Sequence, residues 1–149
     1  MKVVIQRVTF AKVEVEGKIV SEIGKGMLVL FCVEDDDTCD DLKKMVKKCV
    51  GLRIFDDEKG VMNLDIRQTG GEVLIVSQFT LAANVRKGNR PSYAAAARPE
   101  KAIPIYEEFC SMVSGEIGRP VGRGIFGADM KVSLLNDGPV TIPISTGEL

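Results

Sequence analysis

The sequence predicts a single α+β domain built around an antiparallel or mixed β-sheet. Its 149 residues contain no internal repeat and no linker-like stretch, and a chain of this length can bury a sufficient core as one domain. Strand-like segments follow one another in runs, and helical patterns separate only some of them. Strict alternation of strands and helices would indicate a doubly wound parallel sheet, whereas runs of strands favour the α+β class.

The first three predicted strands lie at the start of the chain. Residues 2–8 are rich in β-branched side chains, and an alternating pattern continues to a turn at Glu16-Gly17. Residues 18–23 then lead the chain back, which predicts a β-hairpin. Residues 27–33 are apolar throughout, between glycine and acidic residues. Such a run is typical of a central strand that is buried on both faces.

The first helix is predicted between Thr38 and Gly51. Thr38 can cap its N-terminus, with Asp41 at the capping-box position, and Gly51 is expected to end it. Apolar residues recur at helical spacing on one side, at Leu42, Met45, Val46 and Cys49. We interpret the other side as a face exposed to solvent. It carries Lys43, Lys44, Lys47 and Lys48.

Two further strands and a loop are expected in the middle of the chain. Residues 52–55 match the pattern of a short strand, and a turn over residues 57–60 follows them. Residues 73–77 are predicted to form another buried strand, entered through two glycines. A polar loop over residues 84–90 follows this strand.

A second main helix and a hairpin are expected in the last third of the chain. The helix is predicted over residues 102–113, and Pro104 leaves its start open because proline is tolerated only in the first turn. The predicted hairpin has strands at residues 131–135 and 140–144. Its turn would be Asn136-Asp137-Gly138-Pro139, because Asp-Gly favours a tight turn.

The composition excludes several kinds of site. The chain has no histidine, so Ser-His-Asp and Cys-His catalytic arrangements and histidine metal ligands are all excluded. Its four cysteines include no Cys-x-x-Cys pair. We therefore expect buried free cysteines, no metal site and no cofactor.

We also expect a cytoplasmic protein without a membrane partner. The N-terminus begins with a strand-like run and lacks the features of a signal peptide. The longest apolar run, residues 27–33, is too short to span a bilayer.

A glycine-rich segment at residues 122–127 matches the G-x-G-x-x-G spacing of dinucleotide-binding loops. Such a loop must lie between a strand and a helix, whose N-terminus holds the pyrophosphate. Here a strand-like segment follows, and too little chain remains for a βαβ unit. Close backbone packing explains these glycines as well.

The charge of the chain does not by itself indicate a nucleic-acid-binding protein. Its formal net charge is −1, although basic side chains cluster at Arg86, Lys87 and Arg90, and acidic ones at residues 35–41. Such runs are most often solvated faces.

Two polar segments carry the functional interpretation. Ser77-Gln78-Phe79-Thr80-Leu81 ends a buried strand, where its polar side chains can face a cleft or can satisfy backbone groups. The second segment runs from Asn136 to Thr141, and the turn rule alone explains its Asp-Gly pair.

With their surroundings, these segments resemble the D-aminoacyl-tRNA deacylase family, whose signature segments are Ser-Gln-Phe-Thr-Leu and Gly-Pro-Val-Thr. The resemblance extends nearly from end to end, so that residues 1–149 would form one deacylase domain. Further matching segments, in order, are Val4–Val8, Leu52–Phe55, Met62–Leu64, Lys87–Ser92 and Phe126–Met130. The chain departs from many relatives at Ala82, at Asn84 and at Arg123-Gly124, which affects details of the pocket rim and the RNA contacts.

The resemblance implies a β-barrel-like α+β domain that forms a homodimer with its sites at the subunit interface. Gly138 and Pro139 would be joined by a cis peptide bond and would enter the partner's pocket. Their main-chain carbonyls would accept the amino group of a D-amino acid and exclude an L side chain. Glycine has no side chain to exclude, so the implied substrates are D-aminoacyl-tRNA and glycyl-tRNA.

The resemblance also assigns roles to residues. Ser77, Gln78, Phe79 and Thr80 would form the catalytic segment, in which main-chain N–H groups around Phe79 and Thr80 stabilise the oxyanion. The 2′-hydroxyl of the terminal adenosine would assist hydrolysis. Thr80 is the candidate nucleophile, but no base is evident beside it. The implied substrate-binding residues are Gly138, Pro139, Arg7 and Met130, and the implied tRNA contacts are Arg86, Lys87 and Arg90.

Other functions stay open at this point. Arg7 could brace the Gly138-Pro139 segment or form an ordinary ion pair. The protein could hydrolyse other small esters, with Thr80 or Ser77 as the nucleophile. It could also be a non-catalytic RNA-binding dimer or a purely structural dimer, although its low aromatic content argues against a surface for base stacking.

Overall fold

The computed structural model describes residues 1–149. The strands are β1 (Lys2–Val15), β2 (Lys18–Ile23), β3 (Gly26–Cys32), β4 (Phe55–Asp56), β5 (Met62–Leu64), β6 (Glu72–Ser77), β7 (Gly122–Arg123) and β8 (Lys131–Ser145). The helices are α1 (Cys39–Gly51), α2 (Ile66–Thr69) and α3 (Pro99–Ile117). Short 3-10 turns cover Phe79–Ala82 and Thr146–Glu148. None of the helices is both long enough and apolar enough to cross a bilayer.

Six strands form one mixed sheet that curls almost into a barrel. The order is β2-β1-β3-β6-β7, and β8 also pairs with β1. Strand β1 is antiparallel to its neighbours, whereas β3, β6 and β7 are parallel to one another. The end strands approach closely, because a Cβ atom built on Gly122 would lie 2.5 Å from the hydroxyl of Ser21. The predicted α+β class, with a barrel-like mixed sheet and two main helices, is confirmed.

Alternate side chains of β3 and β6 enter two separate hydrophobic clusters. Met27, Val29 and Phe31 belong to a cluster of 22 buried residues that includes the buried faces of α1 and α3. Leu28 and Leu74 belong to a cluster of seven buried residues on the opposite face of the sheet, which we call the barrel-side cluster. Both faces of these strands are therefore covered, which explains why their sequences are apolar without alternation.

Helix α1 confirms the predicted N-terminal signal. The Thr38 hydroxyl accepts a hydrogen bond from the main-chain N–H of Asp41, and the Asp41 carboxylate accepts one from the N–H of Thr38. The predicted apolar positions are all buried, and the four lysines are all exposed. Hydrophobic periodicity therefore predicted both faces of this helix.

The predicted C-terminal hairpin is wrong. Strand β8 continues along β1 as a single element, in which Asn136 pairs with Val8 and Thr141 pairs with Gln6. The chain between these pairs bulges out of the ladder and contains the cis Gly138-Pro139 peptide bond. The long edge of β1 keeps both halves of β8 paired, so the turn-forming residues produce a bulge instead of a reversal. Gly138 has a φ of +127°, which a side chain would disfavour.

Helix α3 is longer than predicted. It begins at Pro99, in the first position, where a missing N–H costs little, and it continues through Pro104. The exposed Pro104 removes one internal hydrogen bond, which is outweighed by burial of the opposite face, including Tyr106 and Phe109. Gly118, in the left-handed conformation, ends the helix.

Three smaller differences concern short elements. The strand predicted over residues 52–55 is wrong except at its end, because only Phe55–Asp56 pair, locally with β5. The sequence pattern did not reveal β5 or α2, which are too short to show periodicity. In the glycine-rich segment, a Cβ atom on Gly124 would lie 2.6 Å from the sulfur of Met130. Close packing therefore accounts for this glycine, and β8 rather than a helix follows the segment.

Candidate active site

The Ser77–Thr80 segment lies where the parallel strands β3 and β6 end. Phe31 pairs with Ser77 at the last register position. The N–H of Gln78 then donates to the carbonyl of Phe31 at 2.8 Å, and the chain turns into the 3-10 turn Phe79–Ala82. The buried strand β6 therefore places the polar segment at the C-terminal end of the parallel strands.

A small, largely apolar pocket lies beside this segment. Its volume is about 20 Å³, and its walls come from β3, α3 and the segment itself. The lining includes Phe31, Cys32, Ser77, Gln78, Tyr106 and Phe126. This space holds about one water molecule and is too small for an aminoacyl group.

The 3-10 turn presents two unused main-chain donors. The N–H groups of Phe79 and Thr80 have no acceptor within the chain, as expected for the first residues of a helical turn. Such donors can stabilise a negatively charged oxygen without any titratable side chain.

The Thr80 hydroxyl is held by an amide and not by a base. The Nε2 atom of Gln78 donates to the Thr80 Oγ1 at 2.5 Å. An amide cannot accept the hydroxyl proton through its N–H, and no other side chain hydrogen-bonds to Thr80. This contact positions Thr80 but does not activate it as a nucleophile.

Cys32 contacts the 3-10 turn. The sequence did not reveal this contact. Its thiol lies 3.6 Å from the carbonyl oxygen of Phe79 and is buried. Burial, with a smaller effect of the Glu34 carboxylate, raises the pKa of the Cys32 thiol to about 11. The thiol is therefore neutral at ordinary pH and can donate its proton to this carbonyl or to that of Val33, which lies at the same distance.

An exposed aromatic pair lies next to the pocket. The ring of Phe79 is 56% exposed, and Tyr93 packs edge-on against it with a centroid separation of 5.1 Å. The sequence did not mark Tyr93, because it is an isolated aromatic residue that reaches Phe79 only through the fold.

Arg86, Lys87 and Arg90 lie in an exposed loop that follows the 3-10 turn. The main chains of Asn84 and Ser92 pair with each other at the base of this loop. All five residues line an open groove of about 260 Å³. The loop connects the 3-10 turn to Tyr93, so its basic side chains follow the Ser77–Thr80 segment directly in the chain.

Arg7 lies at the opposite end of the sheet, beneath the Gly138-Pro139 bulge. It is 9% exposed, and its guanidinium donates to the carbonyls of Ile54 at 2.7 Å and Asp137 at 3.0 Å. Its Nη1 atom also lies 3.4 Å from the Asp56 carboxylate. The side chain therefore ties the base of the bulge to the segment that follows α1.

The two groups of predicted site residues are not brought together within one chain. Arg7 pairs with Met27 near the start of β3, and Ser77 pairs with Phe31 near its end. At the usual rise of a strand, this separates them by roughly 13 Å along the sheet. Met130 belongs to neither group, since it packs on the barrel-side cluster and does not line the pocket.

No three cysteine, aspartate or glutamate side chains converge in an arrangement that could hold a metal ion. The polar groups of the Ser77–Thr80 segment are two main-chain donors, the Ser77 and Thr80 hydroxyls and the Gln78 amide, and of its residues Ser77, Gln78 and Phe79 line the pocket.

Proteins of known sequence are similar to this chain over nearly its whole length. The family model described as D-Tyr-tRNA(Tyr) deacylase matches residues 4–145. The D-aminoacyl-tRNA deacylase of Bacteroides thetaiotaomicron is 56% identical over 146 residues, which are 98% of this chain and 97% of the relative. That of Flavobacterium psychrophilum is 54% identical over the same shares of the two chains.

Solved structures have the same fold. A structure described as c-Myc DNA Unwinding Element Binding Protein superposes with a TM-score of 0.92 and 42% identity, over 97% of this chain and 98% of that chain. A structure described as a probable eukaryotic D-amino acid tRNA deacylase has a TM-score of 0.80 and 20% identity, over 96% and 97% of the two chains. The family match over nearly the whole chain confirms the resemblance seen in the sequence, and the chain belongs to the D-Tyr-tRNA(Tyr) deacylase family.

Proposed function

We propose that this protein hydrolyses the ester bond of D-aminoacyl-tRNA, and also of glycyl-tRNA, to release the free amino acid and tRNA. The active form would be a homodimer. Each site would combine the Ser77–Thr80 segment of one subunit with the Gly138-Pro139 bulge of the other. The observation that carries this proposal is the separation of these two segments within one chain, together with a pocket too small for an aminoacyl group.

Hydrolysis would rely on main-chain donors and on the substrate. The ester carbonyl oxygen would accept hydrogen bonds from the N–H groups of Phe79 and Thr80 as it becomes negatively charged. Water would add to the carbonyl carbon, assisted by the 2′-hydroxyl of the terminal ribose. The bond to the 3′-oxygen would then break, and that oxygen would take up the proton. Because an aminoacyl ester is already activated, a chain without histidine can support this reaction.

Discrimination between D- and L-amino acids would come from the bulge. Main-chain carbonyls of Gly138 and Pro139 in the partner's pocket would accept the amino group of a D-residue. An L side chain would point at the same backbone and clash with it. A glycyl ester has no such side chain and would be accepted.

The exposed apolar surface supports a dimer. Leu135, directly before the bulge, is 54% exposed, and Phe10 pairs with it on the neighbouring strand and is 39% exposed. Together with Phe79 beside the pocket, these side chains place apolar surface next to both halves of the proposed site. Such patches on a small protein are typical of protein–protein interfaces.

The test compares matched D-tyrosyl-tRNA, L-tyrosyl-tRNA and glycyl-tRNA, with release of the amino acid as the measurement. We expect rapid hydrolysis of the D-tyrosyl and glycyl esters and little of the L ester. Equal hydrolysis of D-tyrosyl-adenosine esters that lack the tRNA body would indicate a general ester hydrolase. Hydrolysis of none of them, with tRNA still bound, would indicate an RNA-binding dimer.

A further inference from the structure

Helix α1 presents a dense positive surface outside the proposed active site. Lys43, Lys44, Lys47 and Lys48 are all exposed on its outer side. Hydrophobic packing of the opposite side fixes this orientation, since Leu42, Met45, Val46, Cys49 and Val50 are buried. The helix therefore presents all four lysines on its exposed side, which we call the α1 lysine face.

The positive charges of this face are only partly balanced within the chain. None of its four lysines forms an ion pair, whereas Lys2, Lys12 and Lys131 do. The nearby acidic residue Asp41 is engaged by Thr38 at the helix N-terminus, and these hydrogen bonds hold the pKa of its carboxyl below the ordinary value. The face thus carries four positive charges without an ion pair, on a chain whose net charge is −1, and only Lys44 at its N-terminal end acts on the Asp41 carboxylate.

A groove runs along this face. It has a volume of about 430 Å³ and is lined by Lys44, Lys47 and Lys48 with Gly51 and Leu149. It shares no residue with the pocket beside Ser77 or with the groove of the Arg86 loop.

The helix dipole does not explain the whole pattern. Cations stabilise only the last turn of a helix, which covers Lys48. Lys43 and Lys44 lie in the first half of α1, where positive charge gains nothing from the dipole. Asp40 and Asp41 lie one turn before Lys43 and Lys44 and can favour lysine there, but Lys47 lies one turn after Lys43 and Lys44, where like charges are unfavourable.

We infer that the α1 lysine face docks the phosphate backbone of the tRNA body, at a distance from the ester bond. The inference rests on the proposed function, which supplies a polyanionic substrate much larger than the pocket. Lysines on an exposed helix contact phosphates without reading sequence. The surface would therefore increase the affinity for tRNAs in general and would leave the choice between D and L esters to the active site.

The experiment measures the affinity of the full-length protein for deacylated tRNA as a function of salt concentration. The variant is Lys44→Gln/Lys48→Gln, because glutamine has a helix propensity close to that of lysine. Lys18→Gln/Lys59→Gln removes the same charge from exposed, unpaired positions elsewhere and is the matched control. Lys44→Arg/Lys48→Arg restores the positive charge.

We expect the glutamine variant to bind tRNA about tenfold more weakly at physiological salt. The slope of the logarithm of the affinity against the logarithm of the salt concentration should fall in magnitude by roughly 1.4 to 1.8, because two phosphate contacts are lost. The control should stay within about twofold of the wild type, and the arginine variant should recover the affinity. An unchanged affinity and slope in the glutamine variant would overturn the inference. So would loss of binding to anionic phosphatidylglycerol vesicles with tRNA binding intact, which would assign the face to a membrane surface.

The two proposals fail separately. Deacylated tRNA carries no ester, so its binding does not depend on hydrolysis. Lysine-dependent binding without D-selective hydrolysis would refute the proposed function alone. D-selective hydrolysis with lysine-independent binding would refute the role of the α1 lysine face alone.

Discussion

The Ser77–Thr80 segment and the Gly138-Pro139 bulge differ in how the fold supports them. The first lies at the end of a strand buried on both faces, is held from below by Cys32, and lines a recess. The second protrudes from β8 into solvent and is attached to the body through Arg7. We call the Ser77–Thr80 segment the wall and the Gly138-Pro139 bulge the projection. The two lie at opposite ends of the same sheet. Under the proposed function, each chain would carry two complementary halves of a site, which would meet only between two copies.

The largest loss of activity is expected from a substitution in the wall. Thr80→Pro removes one main-chain donor in the first turn, where proline is tolerated, and should lower kcat by roughly 10²- to 10³-fold. Thr80→Ala keeps that N–H and should retain most activity. The measurement is single-turnover hydrolysis of D-tyrosyl-tRNA by both variants. If the alanine variant were as inactive as the proline variant, the Thr80 hydroxyl would be essential and the main-chain account would be wrong.

The projection should be almost as sensitive. In Gly138→Ala the added Cβ would lie 3.0 Å from the Arg7 guanidinium and from the Val140 side chain, at a φ of +127°. Displacement of the bulge by about 1 Å should reduce kcat/KM for D-tyrosyl-tRNA about a hundredfold. Gly60→Ala has a positive φ in an open turn and is the control for backbone strain. Equal activity of both variants would show that the bulge takes no part in the reaction.

A smaller effect is expected at Arg7, which supports the projection. Arg7→Lys keeps the charge but loses the planar set of donors that reaches Ile54 and Asp137. If the buried carbonyl of Ile54 is left unpaired, the free energy of unfolding should fall by about 1–3 kcal/mol, measured by urea denaturation. D-selective activity should fall about tenfold, since the bulge is less well placed. If the variant lost stability but kept its full activity, the role of Arg7 would be structural only.

The smallest effect is expected at Cys32, which contacts the wall, and it concerns the pH dependence of thermal stability. The folded protein binds the Cys32 proton more tightly than the unfolded chain does, because burial raises this pKa from 9.0 to about 11. The resulting stability is present below pH 9 and is lost as the pH rises towards 11. The thermal midpoint should therefore fall more steeply over this range in the wild type than in Cys32→Ser. Parallel pH profiles of the two proteins would contradict a protonated, buried thiol.

The sequence predicted the parts of this molecule that depend on regular patterns. Uninterrupted apolar runs located β3 and β6, and hydrophobic periodicity with a capping residue located α1. The polar segment from Ser77 was expected at the end of a buried strand, and it lies there. Each of these features is encoded within a few neighbouring residues.

The errors arise where distant parts of the chain decide the local structure. Asp137-Gly138 has the chemistry of a turn, but the long edge of β1 keeps β8 extended on both sides of it. Pro104 should interrupt a helix, yet burial of the opposite face of α3 outweighs the lost hydrogen bond. The contacts of Cys32 with Phe79, and of Tyr93 with Phe79, join segments that no local pattern connects. Local propensity therefore predicts elements better than it predicts the contacts that complete a site.

The central claim is that the wall and the projection act across two subunits, and mixing two inactive variants tests it most directly. Thr80→Pro subunits retain the bulge, and Gly138→Ala subunits retain the donors, so a mixed dimer contains one intact site. Random reassociation of equal amounts should restore about a quarter of the wild-type D-tyrosyl-tRNA hydrolysis. If the mixture stayed as inactive as its components while mixed dimers were present, each site would lie within a single chain, and the account would be contradicted.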